Sequence, residues 1–336
     1  MSDAIGGYFE LELPAGSGEH YRNVYRYQSA SAAFQALLQK ERPARVWMPW
    51  YICGSMIGAL QNSGIPVERY AIDETLNIKD EISLAADEWL VYVNYFGVCD
   101  RHVASILARY ASNQVVIDCA HAFFSPPRQC LATLYSPRKF FGVPDGGYLV
   151  TAVEMPFVEE DERSIERCNH LLKRLGSRPE EGYEDYRNAE AALLGEVPRK
   201  MSLLTQRMLA SIDYDRVRAQ RNTNFFQLHG SLDGMNALCI QIESDAAPMS
   251  YPFFCESADL RKKLLSERIF IPTYWPGVCA RNAPPEWEQR LTRNCLVLPC
   301  DQRYSSGHMT RMLNLIYQHL HVPNFLKERE FSYGNA

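Results

Sequence analysis

The sequence has little to offer several common classes of protein. It has no basic surplus: 35 Lys and Arg stand against 40 Asp and Glu, for a formal net charge of -5, so nothing points to a nucleic-acid partner. No apolar run approaches the roughly 18 residues that a membrane-spanning helix needs. The start, "MSDAIGGYFELELPAG", lacks the basic-then-apolar order of a secretory signal. The 10 cysteines include no C-x-x-C pair and no Cys/His group at zinc-ligand spacing. Several, such as Cys239 in "ALCIQI" and Cys295 in "NCLVL", lie inside apolar segments and read as small buried side chains in a reducing cytoplasm. Repeats and low-complexity tracts are also missing.

What is present is an ordinary globular composition. With 336 residues, 46% hydrophobic and 22% charged, the chain has material for one large domain and a smaller one. Strand-like and helix-like pieces alternate through the first half. "SASAAFQALLQK", "SMIGALQNSG" and "RHVASILARYAS" read as helices; "RVWMP", "IPVERYAI", "EWLVYVNYFG", "NQVVID", "CLATLYS" and "GYLVTA" read as strands. This alternation implies βαβ crossovers and a largely parallel sheet, with functional residues beyond the carboxyl ends of its strands. From about residue 159 to residue 226 the chain turns polar and helical. After it, strands "ALCIQIES", "RIFIPTYW" and "CLVLP" are expected to alternate with helices "SADLRKKLLSE" and "MTRMLNLIYQHL". The predicted organisation is a large domain over 1–226, with its helical connection starting near 159, and a small C-terminal α+β domain over 227–336.

Three stretches carry chemistry. In "SPRKFFGVPDGGYLVT", Lys139 stands between Pro137 and the pair Phe140 and Phe141, whereas most lysines sit on solvated faces. A lysine desolvated among such neighbours has a lowered pKa, and its neutral amine attacks aldehydes. Ser136 precedes it by three residues, close enough to help bind a phosphate, and Gly146 and Gly147 permit a sharp chain reversal. In "YQSASAAF", small hydroxylated residues open a helix, where free N–H groups and the helix dipole favour a phosphate. Ser29 or Ser31 also reads as a plain helix cap. In "VVIDCAHAF", Asp118 ends an apolar strand, where a carboxylate needs a cationic or donor partner, or else caps the next turn; His121 follows three residues later.

One ligand suits all three stretches: pyridoxal 5′-phosphate. Its aldehyde would condense with Lys139, its phosphate would sit on the helix start at Ala30, Ser31 and Ala32 together with Ser136, and its ring nitrogen would face Asp118. An anionic Asp118 keeps that nitrogen protonated and makes the ring an electron sink. His121 is suited to donate to the ring's phenolic oxygen. Trp50 or Tyr51, from "MPWYICG", is suited to cover one ring face.

In that order of motifs the chain resembles the DegT/DnrJ/StrS family of PLP-dependent sugar aminotransferases. "SASAA" stands where the family has its phosphate-binding helix, "MPWYICGSM" its ring-stacking turn, and "NYFG" a His-x-x-Gly-like strand end. "DCAHA" stands for its Asp-x-x-Gln/His pair and "SPRKFFGVPDGGYLVT" for its Schiff-base lysine followed by Gly-Gly and a strand. "YRNAEAAL", "RNTNFFQL", "IFIPTYWP" and "LPCDQRY" resemble the family's later segments, so the likeness covers nearly the whole chain. The chain departs at Ala30 (usually glycine), at Ser31 (usually threonine) and in the short loop between Asp118 and Lys139.

The resemblance implies an α/β fold of the fold-type-I PLP transferases: a three-layer α/β/α large domain with a mainly parallel sheet, plus a small α+β domain. It also implies transfer of an amino group, commonly from L-glutamate, to a keto group on a nucleotide-linked sugar, in polysaccharide or glycosylated-metabolite synthesis. In that chemistry Lys139, once freed, carries the proton from substrate to cofactor. A cytoplasmic homodimer is implied, with contacts from the second chain sought in "GGYFELEL" and in Tyr183–Arg187, although Tyr183 and Tyr186 on their own read as helix packing. Two alternatives stand beside it: another PLP reaction on this fold, such as a dehydration (whose enzymes replace the lysine by histidine), and a non-catalytic relative that serves as a regulator.

Overall fold

The computed structural model describes residues 5–257 and 259–322. The ends of both expected domains, 1–4 and 323–336, lie outside the described residues. The large sheet has seven strands. In chain order they are β1 (Tyr25–Tyr27), β2 (Arg45–Pro49), β3 (Val67–Tyr70), β4 (Glu88–Val93), β5 (Val115–Asp118), β6 (Ala132–Tyr135) and β7 (Gly147–Val150). Their order across the sheet is β1-β7-β6-β5-β4-β2-β3. Every pair from β3 to β6 is parallel, and β7 and β1 close one edge in antiparallel fashion. β4 and β5 lie at the centre, and Val91, Val115, Val116 and Ile117 are fully buried, as expected for strands covered on both faces.

The expected helices form. α1 (Ala30–Glu41) starts on Ser29, whose Oγ accepts from the Ala32 N–H at 3.1 Å. α2 (Gly54–Ser63) ends on the left-handed Gly64, and α3 (Asp100–Arg109) presents Val103 and Ile106 to the core. The polar stretch after the sheet folds as α4 (Asn169–Gly176), α5 (Tyr183–Ala191) and α6 (Leu203–Ala210). α7 (Tyr214–Leu232) then runs across the boundary expected at 226/227.

The C-terminal region forms its two expected helices, α8 (Leu260–Ser266) and α10 (Ser306–Leu320), adds an unexpected one between them, α9 (Glu286–Asn294), and has fewer strands than expected. Its sheet is a single antiparallel pair, β8 (Ser250–Phe254) with β9 (Cys295–Pro299). "CLVLP" is therefore a strand, whereas "ALCIQIES" and "RIFIPTYW" are not. The first buries Leu238 and Ile240 without any ladder partner, and its Gln241 accepts from Arg101 of α3 at 3.0 Å. Its alternation is thus satisfied by packing on the large domain. In the second, Arg268 and Trp275 are both left-handed (φ 60° and 51°) and Pro272 lacks an N–H, so no regular ladder can form.

No described helix is long and apolar enough to cross a membrane. Among the described residues no cluster of His, Cys, Asp or Glu could hold a metal ion.

Candidate active site

The strand ends assemble the site. Asp118 is the last residue of β5 and pairs in register with Val93 of β4 and Leu134 of β6. β6 runs straight into a 3-10 turn, Pro137–Lys139, which brings Lys139 beside the carboxyl end of β5. His121 lies on the turn after Asp118, and Trp50 and Tyr51 follow the end of β2. The topology thus delivers three sequence-distant motifs to the carboxyl ends of the strands.

The charges act on one another. Burial raises the Asp118 carboxyl above its ordinary range, while the Lys139 cation and the Ala120 N–H, at 2.9 Å from Oδ1, pull it back down. Burial, and after it the same Lys139 cation, pushes His121 well below the usual imidazole range, so the ring is neutral. Lys139 itself is exposed in the single chain, which corrects the desolvation expected from its neighbours. The reason is local. Pro137, Phe140 and Phe141 turn inward, the two phenylalanines joining Phe123 in one aromatic cluster, and the tight turn leaves the lysine on the open side.

His121 gives the clearest sign that a ligand belongs here. Its Nδ1 accepts the Phe96 N–H at 3.3 Å, which leaves the ring proton on Nε2. That Nε2 is buried and has no hydrogen-bond partner. A buried donor without an acceptor costs about 1–3 kcal/mol, and a ligand oxygen at this point would remove the cost. The Phe96 N–H reaches His121 because Phe96 is left-handed (φ 56°). Gly97 comes next at φ 83°; a Cβ there would lie 2.6 Å from the His121 carbonyl oxygen, so no other residue fits.

The elements expected to hold a phosphate pack against the strand that follows the Lys139 turn. A Cβ at Gly147 would stand 2.1 Å from the Ser29 carbonyl carbon and 2.3 Å from the Ala30 nitrogen. The start of α1 therefore rests directly on this glycine, at the strand next to the Lys139 turn. Gly146, at φ 128°, provides the chain bend, so only one of the two glycines serves the reversal expected of both. Ser29 is the cap, and its Oγ lies 3.1 Å from the Ser31 Oγ. Ser31 and Ala32 share a cavity of about 420 Å³ with Gly54 and Ser55, so the starts of α1 and α2 open on the same space. Ala30 and Ser136 are buried and do not line this cavity, and the Ser136 carbonyl accepts the Lys139 N–H at 3.1 Å.

Of the two candidate stacking residues, the structure brings Tyr51 to the site and turns Trp50 away. Tyr51 is buried, with its ring 4.4 Å from that of Trp275, and Trp275 in turn stacks on His121 at 5.4 Å and 15°. Trp50 is half-buried, and its ring meets the Arg69 guanidinium at 5.8 Å. Tyr183 and Tyr186 are 61% and 45% exposed, yet Tyr186 sets its ring edge-on against His170 of α4 at 5.7 Å and Tyr183 lies 6.3 Å from Tyr186, so helix packing holds for Tyr186 while Tyr183 stays largely open.

Sequence reasoning missed three contributors. Trp275 is a bulky left-handed residue immediately before a proline, a combination that costs backbone strain. Tyr274 places its ring 5.1 Å from that of His121. Arg281 donates to the Trp50 carbonyl and, at 2.7 Å, to the Ile52 carbonyl, which fixes the turn that carries Tyr51. A Trp-Pro pair in the sequence was the only signal, and it names no partner.

No protein-family model and no curated protein sequence matches the chain. Solved structures do. The fold is that of the fold-type-I transferases, a mainly parallel α/β sheet with a small second domain. One neighbour is a DegT DnrJ EryC1 StrS aminotransferase from Brucella abortus, with 14% identity, TM-score 0.61, and 89% of this chain covering 86% of that one. NtdA from Bacillus subtilis with bound cofactor PMP has 17% identity, TM-score 0.62, and coverage of 89% and 73%. The E. coli GDP-4-keto-6-deoxy-D-mannose-3-dehydratase with bound hydrated PLP has 15% identity, TM-score 0.60, and coverage of 88% and 87%.

Proposed function

We propose that the chain is a PLP-dependent aminotransferase that moves an amino group from L-glutamate to a keto group of a nucleotide-linked sugar. The observation that carries this reading is the site itself: the Lys139 cation acts on a buried Asp118 and on a buried His121 whose Nε2–H has no acceptor. Neighbours of the same fold include an aminotransferase and a protein with bound cofactor PMP, which supports the choice of cofactor. Pyridoxal phosphate would supply an aldehyde that an amine can capture and a ring that withdraws electrons from the substrate carbon.

The residues then have distinct tasks. The first turn of α1 binds the phosphate through backbone N–H groups and Ser31, at the positive end of the helix dipole. Asp118 would keep a proton on the ring nitrogen, and that cation would give the carboxylate the partner that its burial demands. His121 donates from Nε2 to the phenolic oxygen. Tyr51, beneath Trp275, walls the ring off from water. Lys139 would hold the cofactor through its ε-amine and, when free of it, would take the proton from the substrate carbon.

One neighbour bears the name of a sugar dehydratase. The lysine at 139, where the dehydrating branch is expected to carry histidine, favours transamination here. The homodimer belongs to the same reading. Ile5, Tyr8, Phe9 and Leu11 are at least 69% exposed, and so is Leu175 on α4, which is more apolar surface than a lone chain commonly shows.

The test is transfer itself. Purified protein with pyridoxal phosphate and L-glutamate should release 2-oxoglutarate in an amount set by an added keto-sugar nucleotide. If a panel of such acceptors, varied in base and keto position, gives no acceptor-dependent release, the reading fails.

A further inference from the structure

Arg221, on α7, is fully buried and has no carboxylate partner among the described residues. The acid whose charge acts on it, Asp301, is held by Arg303 at 2.7 and 2.8 Å. An unpaired buried cation is expensive, and a neutral side chain would pack here at less cost. Its guanidinium is instead satisfied by neutral acceptors. Nε donates to Gln302 Oε1 at 2.8 Å, Nη1 to the Pro248 and Met249 carbonyls at 3.0 and 3.2 Å, and Nη2 to the Phe140 carbonyl at 3.4 Å. The guanidinium also lies over the Phe140 ring at 4.3 Å.

Two of these acceptors lead into the active site. Phe140 follows Lys139 directly, and its carbonyl takes a second hydrogen bond, from Gln302 Nε2 at 2.7 Å. Met249 donates its N–H to the Phe96 carbonyl at 2.9 Å, and Phe96 donates its own N–H to His121 Nδ1. Tyr274, whose ring covers His121, donates its hydroxyl to the Met249 sulfur at 3.7 Å.

We propose that Arg221 is a positioning residue that ties the Lys139 turn to the turn fixing the His121 tautomer. Only a planar fork with several fixed N–H directions reaches both sets of carbonyls at once, which lysine cannot do. The inference rests on the cofactor reading for what Lys139 and His121 do, but its two arms are read separately. In apo protein labelled with 15N-histidine, NMR should find wild-type His121 wholly as the Nε2–H tautomer. In Arg221→Lys a second tautomer, with the proton on Nδ1, should appear. In equilibrium dialysis with pyridoxal phosphate, Arg221→Lys should bind about tenfold more weakly, the scale of one lost hydrogen bond to a charged group. Gln302→Ala, which removes a donor from the Phe140 carbonyl without removing a charge, should weaken pyridoxal phosphate binding and leave the tautomer unchanged.

A structural role alone would lower the melting temperature without moving the tautomer. A single unchanged tautomer in Arg221→Lys overturns the proposal, and so does unchanged cofactor affinity in Gln302→Ala, a variant expected to stay folded. If wild-type protein binds no pyridoxal phosphate, the cofactor reading falls, while the tautomer result still decides the His121 arm.

Discussion

The molecule buries two aspartates close to the same loop and treats them in opposite ways. Asp145 is wholly buried and saturated: Ser164 Oγ, Ser202 Oγ at 2.7 Å and the Ser202 N–H at 3.2 Å all donate to it. Asp118 is 4% exposed and has a single backbone donor at 2.9 Å, with the cation of Lys139 nearby. Burial raises both carboxyls. At Asp145 the surrounding hydroxyls offset that cost and lock α6 to the loop below the Lys139 turn. At Asp118 only the Lys139 cation and one N–H oppose that cost. A buried charge that its own chain does not satisfy marks the place where a ligand completes the structure.

The contrast can be broken by substitution. Lys139→Ala should leave the fold intact and lower steady transamination by about 10²–10⁴-fold, the scale of losing the proton carrier. A rate near wild type would mean that another residue moves the proton. Asp118→Asn should cost about 10²–10³-fold in activity, as expected for the loss of one fixed charge against the reacting group, yet the apo chain should melt no lower than wild type. Asp145→Ala should do the reverse. It strands several buried donors and should cost about 3 kcal/mol of stability, read as a fall in melting temperature, with cofactor affinity changed less than in Asp118→Asn. Were Asp118→Asn the more destabilising of the two in apo protein, the division into structural and ligand-seeking carboxyls would be wrong.

The smallest effect is the pH dependence. A carboxyl whose folded pKa is raised holds its proton longer when folded than when unfolded. Its contribution to apo stability is therefore most favourable at low pH and declines as pH rises from the ordinary carboxyl value of 3.8 through the raised one. Asp118→Asn should flatten that decline, so that variant and wild type differ most above the raised pKa and converge in acid. Chemical denaturation over a pH series reads this directly, and parallel curves would contradict it.

The parts of the site that the sequence revealed were local in the chain. Asp118 and His121 share one turn, Lys139 and the two glycines share another, and Ser29 announces its helix through a cap only three residues long. Six strands of the large sheet were legible as short apolar runs; β1 was not, because Tyr25–Tyr27 is a three-residue edge strand with an arginine at its centre. What was hidden depends on contacts across the fold. The exposure of Lys139 follows from where Phe140 and Phe141 find their aromatic neighbours. The choice of Tyr51 over Trp50 depends on Trp275, more than two hundred residues away. "ALCIQIES" has a strand's alternation but no partner strand, because helix α3 supplies the surface it covers. Arg221 looked like one more charge on a polar helix, and nothing in its sequence neighbours signals four carbonyl and amide acceptors.

The most direct test is to treat the protein with pyridoxal phosphate and borohydride, then map the modified peptide by mass spectrometry. The account predicts a single adduct, on the ε-amine of Lys139, that disappears in Lys139→Ala. An adduct on a different lysine, or none on a folded protein saturated with the cofactor, would contradict it.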